Sequence, residues 1–121
     1  VRGDAPFGSP SAFAQARLDL ARPLKLGVIG PYDANHDTAF EVRAFIGGGY
    51  EDPVTGSLNA SLAQWLIGAG LAKSSYVASQ GTALERVGRV HLRKDDEGVW
   101  VGGNVVGVIQ GEVNLDETTT P

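Results

Sequence analysis

Cysteine is absent from the chain, so neither a disulfide nor a thiolate-bound zinc can form. Methionine is absent too, including at position 1; a removed initiator or a start inside a longer gene product would each account for it. The only histidines, His36 and His91, are too far apart in sequence for metal-ligand spacing. His36 lies among Asp33, Asn35 and Asp37, but this loop lacks the sharp-turn glycine and closing glutamate of an EF-hand. It reads as a polar hairpin turn, and no metal is expected. Neither a charged-then-apolar leader nor a long apolar run is present, which points to the cytoplasm and away from a membrane. Positive charge is also in short supply, 10 Lys+Arg against 14 Asp+Glu, for a net charge of −4. Nucleic-acid affinity rests on neutralising phosphates, so that class of partner is disfavoured. The one dense basic cluster, Arg86, Arg89, Arg93 and Lys94, is interrupted by valines and followed at once by Asp95-Asp96-Glu97. It reads as the solvated face of a hairpin. Arg2-Gly3-Asp4 is a tripeptide of the integrin-ligand type, here a chance occurrence.

What remains is ordinary globular material of 121 residues, 42% hydrophobic and 20% charged, enough for one domain with a sizeable core. Its centre is the stretch from Glu51 to Gly70. Pro53 pushes Asp52 out of the helical region, and Thr55 or Ser57 can serve as an N-cap, so a helix is predicted to begin between 55 and 58. Gly70 is a natural terminator. Between them Leu58, Ala60, Leu62, Ala63, Trp65, Leu66, Ile67 and Ala69 point in nearly every direction, with only Asn59, Ser61 and Gln64 polar. Such a helix is normally buried on all sides, and at roughly 20 Å it is too short to span a bilayer. It is expected to be a core helix wrapped by sheet, with Trp65 in the core and Trp100 in the core or an interface. Its free N-terminal amides and positive dipole end suit an anionic group at Gly56-Ser57, with Asp52 as a neighbouring acid or base. The plainer alternative is that Ser57 only caps and Asp52 only neutralises the dipole. Asn59 can face such a ligand or cap locally.

Around this helix, residues 1–9 and 115–121 are expected to be mobile, and Ser9-Pro10 opens a surface helix running to about Ala21. Strands are predicted over 24–29, 39–46, 75–79, 89–94, 99–101 and 105–113. Polar turns at 31–38 and 96–98 and the Gly102-Gly103-Asn104 turn suit hairpins. One mid-chain helix with strands on both sides in sequence gives an α+β fold: a single mixed or antiparallel, barrel-like sheet around a central buried helix.

Arg43-Ala44-Phe45, the run Glu51-Asp52-Pro53-Val54-Thr55-Gly56-Ser57 and Asn59-Ala60 before an apolar helix resemble the phenazine-biosynthesis PhzF-like family, which has the diaminopimelate epimerase-like fold. Ser79-Gln80-Gly81-Thr82, Arg86, Gly88-Arg89-Val90-His91-Leu92 and Val99-Trp100-Val101-Gly102-Gly103 with Val105-Val106 follow in the order that family uses. The resemblance spans about Leu24 to Val113 and is to the C-terminal of two similar halves, between which the family's active site lies. It implies cofactor-independent isomerase chemistry by proton transfer on a small carboxylate. Asp52, Gly56 and Ser57 are the positions it carries over, while the family's proton-carrying glutamate and a nearby histidine belong to the other half.

Three functions follow as expectations. The chain is half of an isomerase, with Asp52 catalytic and Thr55, Gly56, Ser57 and Asn59 binding substrate, completed by a homodimer partner or a separate N-terminal-half chain. Alternatively it is a non-catalytic carboxylate-binding or subunit-assembly module. As a third reading, it is a structural fragment with an exposed apolar face.

Overall fold

The computed structural model describes residues 25–116. The expected surface helix, the mobile stretch 1–9 and residues 117–121 lie outside them. Six strands form one sheet: β1 (Lys25–Pro31), β2 (Phe40–Ile46), β3 (Glu51–Asp52), β4 (Ser75–Gln80), β5 (Gly88–Asp95) and β6 (Gly98–Gly102). The helix α1 (Gly56–Gly68) connects β3 to β4. The strand order is β1-β2-β4-β5-β6, with β3 beside β2, and only the β2–β4 pairing is parallel. This is an α+β fold with a mixed sheet.

Alternation along each strand decides what meets the helix. Val42, Tyr76, Ala78, Val90 and Leu92 stand on one face and form the buried core with Ala63 of α1, flanked by Ile29, Phe40, Leu58 and Leu62. Gly27 of β1 leaves room for Leu58 in this approach: a Cβ there would lie 2.5 Å from Leu58 Cδ1, and that side chain would have to shift. The helix stops as its sequence predicts: Gly70, at φ 73°, lets Leu71 N–H reach the Leu66 carbonyl (2.8 Å) and Gly70 N–H the Ile67 carbonyl (3.1 Å).

Two expectations require correction. The sheet is open among the described residues, with β1 and β6 at its ends, so barrel-like wrapping is not formed. An open sheet covers one side of a helix only. Asn59, Ala63 and Leu66 are buried, whereas Ser57, Ser61 and Gln64 are exposed and Trp65, expected in the core, is 58% exposed. Trp100 is half-exposed on the end strand β6. The second correction concerns the strand expected over 105–113. Residues 103–116 carry no secondary structure and are exposed throughout, since no strand among the described residues pairs with them.

Candidate functional site

The site is assembled by a tight turn. Gly47, Gly48 and Gly49 all have positive φ (44°, 61° and 78°), a conformation that side chains disfavour. They turn the chain so that Ile46 N–H donates to the Tyr50 carbonyl at 2.9 Å and β3 returns antiparallel to β2. The glycine run is therefore a turn device that aims Asp52. A bidentate ion pair secures it: Arg43 Nε and Nη2 each donate to a Glu51 carboxylate oxygen at 2.8 Å, and both side chains are largely buried.

Register then brings two distant residues together. Gln80 at the end of β4 lies opposite Val42, and Asp52 on β3 lies opposite Ala44, so both occupy the helix face of the sheet along β2. Gln80 is fully buried, and its amide is used completely. Nε2 donates to the Asp52 carbonyl (3.0 Å) and to Thr55 Oγ1 (2.9 Å). Oε1 accepts from Thr55 N–H (3.0 Å) and Asn59 Nδ2 (2.8 Å). Asn59 Nδ2 also donates to the Thr55 carbonyl at 2.8 Å. One buried side chain thus ties together strand β3, the loop before α1 and the first turn of the helix. Gly81 and Gly88 close the arrangement from behind. A Cβ on Gly81 would come within 2.7 Å of the Pro53 carbonyl, and one on Gly88 would strike the Gln80 carbonyl.

The consequence is chemical. Thr55 occupies the N-cap position, yet its hydroxyl donates to Asp52 Oδ2 at 2.6 Å, and among the described residues no side chain caps the first helical turn. The amides of Gly56, Ser57 and Leu58 therefore keep their hydrogen-bonding capacity, and the positive end of α1 is not neutralised by any acidic residue in that turn. Gly56 and Ser57 are exposed, and a Cβ at Gly56 would meet nothing within 4 Å. Beside this end lies an open depression of about 400 Å³ lined by Lys25, Phe45, Thr55, Ser57, Leu58 and Ser61, among others. Lys25 brings a cation to the same place.

Of the residues singled out from sequence, Asp52, Thr55, Gly56 and Ser57 converge on the helix N-terminus. Thr55 and Ser57 line the depression, Asp52 and Gly56 lie beside it without lining it, and Asn59 is buried beneath the helix end. Gln80 and Lys25 were not singled out. The signal for Gln80 was its place in the Ser79-Gln80-Gly81-Thr82 block, on the inward phase of β4 after Tyr76 and Ala78.

The opposite face of the sheet holds a second polar cluster. Tyr32 stacks on His36 with ring centroids 3.6 Å apart and donates to buried Glu41 at 3.0 Å. Burial, and then the hydrogen bond to Glu41, push the Tyr32 phenol up to about 12. Thr38 and Ser79 hydroxyls meet at 2.6 Å, and Arg89 reaches Asp37 at 3.2 Å. The basic residues of β5 are thus solvated or locally paired, Arg93 with Asp95 at 3.4 Å. Among the described residues no group of three or more His, Asp or Glu is placed to hold a metal, and no helix is long and apolar enough to cross a membrane.

A family profile described as phenazine biosynthesis-like protein, PhzC-PhzF, matches residues 15–111, most of the chain. The chain belongs to that family. The matched segment includes every residue of the helix N-terminus described above, and also the exposed segment after β6 as far as residue 111. No curated protein and no solved structure matches.

Proposed function

We infer that this domain is the carboxylate-seating half of a PhzF-like isomerase, acting by proton transfer on a small carboxylate without a cofactor. Family membership supports the reaction class. The observation that carries the site is the diversion of the Thr55 hydroxyl to Asp52, which leaves the first-turn amides of α1 open beside a depression with Lys25 at its rim. A substrate carboxylate accepts hydrogen bonds from the Gly56 and Ser57 amides and the Ser57 hydroxyl, where the helix dipole favours negative charge. Asp52 has one oxygen held by Thr55 and the other free of hydrogen-bond partners among the described residues, so Oδ1 is the atom that meets the substrate's polar edge or relays its proton. Thr55 and Asn59 position this constellation through Gln80.

Among the described residues no histidine or glutamate lines the depression. That observation favours a division of labour in which the proton carrier comes from a partner, either a second copy of the chain or a chain bearing the other half. It equally supports the second reading, a carboxylate-binding module without turnover. Incubation with small cyclic and amino-acid-like carboxylates in deuterated water separates the two. Deuterium at a substrate carbon requires proton abstraction. Binding without label leaves the module, and neither binding nor label removes both readings.

A further inference from the structure

A pocket of about 480 Å³ opens at the far end of α1 from Gly56, where the loop 32–39 meets the loop 69–74. Both loops are fixed by backbone hydrogen bonds. Tyr32 N–H donates to the Ala39 carbonyl and Ala39 N–H to the Val77 carbonyl, each at 2.9 Å, which ties the β1–β2 connection to β4. Ala72 N–H donates to the Leu66 carbonyl at 3.1 Å and Lys94 N–H to the Ser74 carbonyl at 2.8 Å, which ties the second loop to the helix and to β5. The pocket is therefore pre-formed and of the size that small-molecule sites use.

Several groups in its lining are unengaged. Tyr76 is only 9% exposed, with its ring in the core edge-on to Phe40 at 5.2 Å between centroids. Its hydroxyl has no hydrogen-bond partner among the described residues, and a buried phenol in that state calls for one. Burial also pushes this phenol up, so at neutral pH it is a donor. Lys73 and Asp33 line the same pocket, both exposed, and among the described residues neither has an ion-pair partner. Asp37, the other acid of the lining, is engaged by Arg89 at 3.2 Å and lies 3.0 Å from His36 Nδ1. The Tyr32 and His36 rings are stacked 6° from parallel, and the His36 side chain is 38% exposed, which leaves a flat aromatic face accessible. The free chemistry is thus one cation, one anion, one phenol donor and one aromatic face.

We propose that this pocket is a second binding site, one for a free amino acid with an aromatic side chain. The α-carboxylate accepts from Lys73 Nζ and from the Tyr76 hydroxyl, the α-ammonium donates to Asp33, and the side-chain ring extends the Tyr32–His36 stack. A zwitterion is the occupant because each half alone meets a mismatch. A simple carboxylate leaves Asp33 unanswered and lies beside two acids, and a simple amine leaves Lys73 and Tyr76 unanswered. The site is separate from the helix N-terminus, and the inference does not depend on the carboxylate reading there.

Titration of the protein with L-phenylalanine, followed by calorimetry and amide by amide in nuclear magnetic resonance spectra, tests it. Saturable shifts within 32–39 and 71–77 are expected, with a Kd about tenfold lower than for benzoate or phenethylamine, which each carry one half of the zwitterion. No binding, shifts confined to Gly56, Ser57 and Leu58, or equal affinity for the three probes overturns the proposal. Lys73→Gln and Asp33→Asn alter exposed side chains and are each expected to raise the Kd about tenfold; an unchanged Kd in either overturns it. Tyr76→Phe separates a ligand contact from packing. Removing a hydroxyl without a partner is expected to leave the thermal midpoint unchanged while the Kd rises about threefold. A lowered midpoint would mean that the phenol is already bonded within the fold, and the assignment would fall.

Discussion

Replacing Gln80 with glutamate changes one NH2 group into an oxygen at a fully buried position, leaving size and shape almost untouched. The two bonds that Nε2 donates, to the Asp52 carbonyl and to Thr55 Oγ1, are lost, and two buried acceptors then face a third. Leaving a buried polar group unsatisfied costs about 1–3 kcal/mol, so the pair amounts to about 2–6 kcal/mol, a large share of a typical domain's stability of about 5–15 kcal/mol. The loss has a characteristic pH dependence. A carboxylate buried without a cation has its folded pKa raised above the unfolded value of about 4.3. Below that value the group is protonated in both states and its O–H restores one donor, so the defect is smallest. As the pH rises through the folded pKa the variant loses stability, by up to about 1.4 kcal/mol per pH unit for one proton. Urea unfolding of both proteins at about pH 4 and pH 8 measures this. A deficit that grows by more than 1 kcal/mol at the higher pH is expected. A difference within about 0.5 kcal/mol at both pH values would mean that Gln80 is not the tie between β3 and α1, and the account of how Asp52 is placed would fail.

Arg43→Met removes the partner of buried Glu51 and is expected to destabilise by about 3–5 kcal/mol, read by thermal or urea unfolding. Trp65→Ser separates the open sheet from the wrapped one: on the exposed face it should change stability by less than about 1 kcal/mol, whereas a fully enclosed tryptophan would cost about 3–5 kcal/mol. Tyr32, raised from 10.0 to about 12, favours its neutral form in the folded state. Its contribution to stability is therefore complete below about pH 10 and lost as the pH climbs through about 12. A late phase in the tyrosinate absorbance titration is expected, disappearing in Tyr32→Phe.

The fold was legible where local chemistry and pattern agreed. Gly70 stopped the helix, Asp96-Glu97 made the β5–β6 turn, and five of the six strands were visible as alternation. The two-residue β3 was not, since Glu51 and Asp52 pair with β2 only because three glycines turn the chain. The helix misled for a related reason. Its most polar inward residue, Asn59, is buried because Gln80 waits for it across the sheet, and its largest apolar residue, Trp65, faces outward. A burial pattern that depends on a buried amide partner 21 residues away carries no periodic signal. Asp52, Gly56 and Ser57 were legible through the Glu-Asp-Pro-Val-Thr-Gly-Ser run, whereas Gln80 as their anchor appears only when β4 is set in register beside β2. The strand expected at 105–113 has the right sequence, but a strand also needs an edge, and among the described residues none is paired to it.

The central claim is that the uncapped start of α1 receives a small carboxylate. Titration of the isotope-labelled protein with such a carboxylate, followed amide by amide in nuclear magnetic resonance spectra, tests it most directly. Saturable shifts centred on Gly56, Ser57 and Leu58 are predicted, abolished in Ser57→Trp while the rest of the spectrum keeps its dispersion. Shifts centred elsewhere, or undiminished binding by the Ser57→Trp protein, would contradict it.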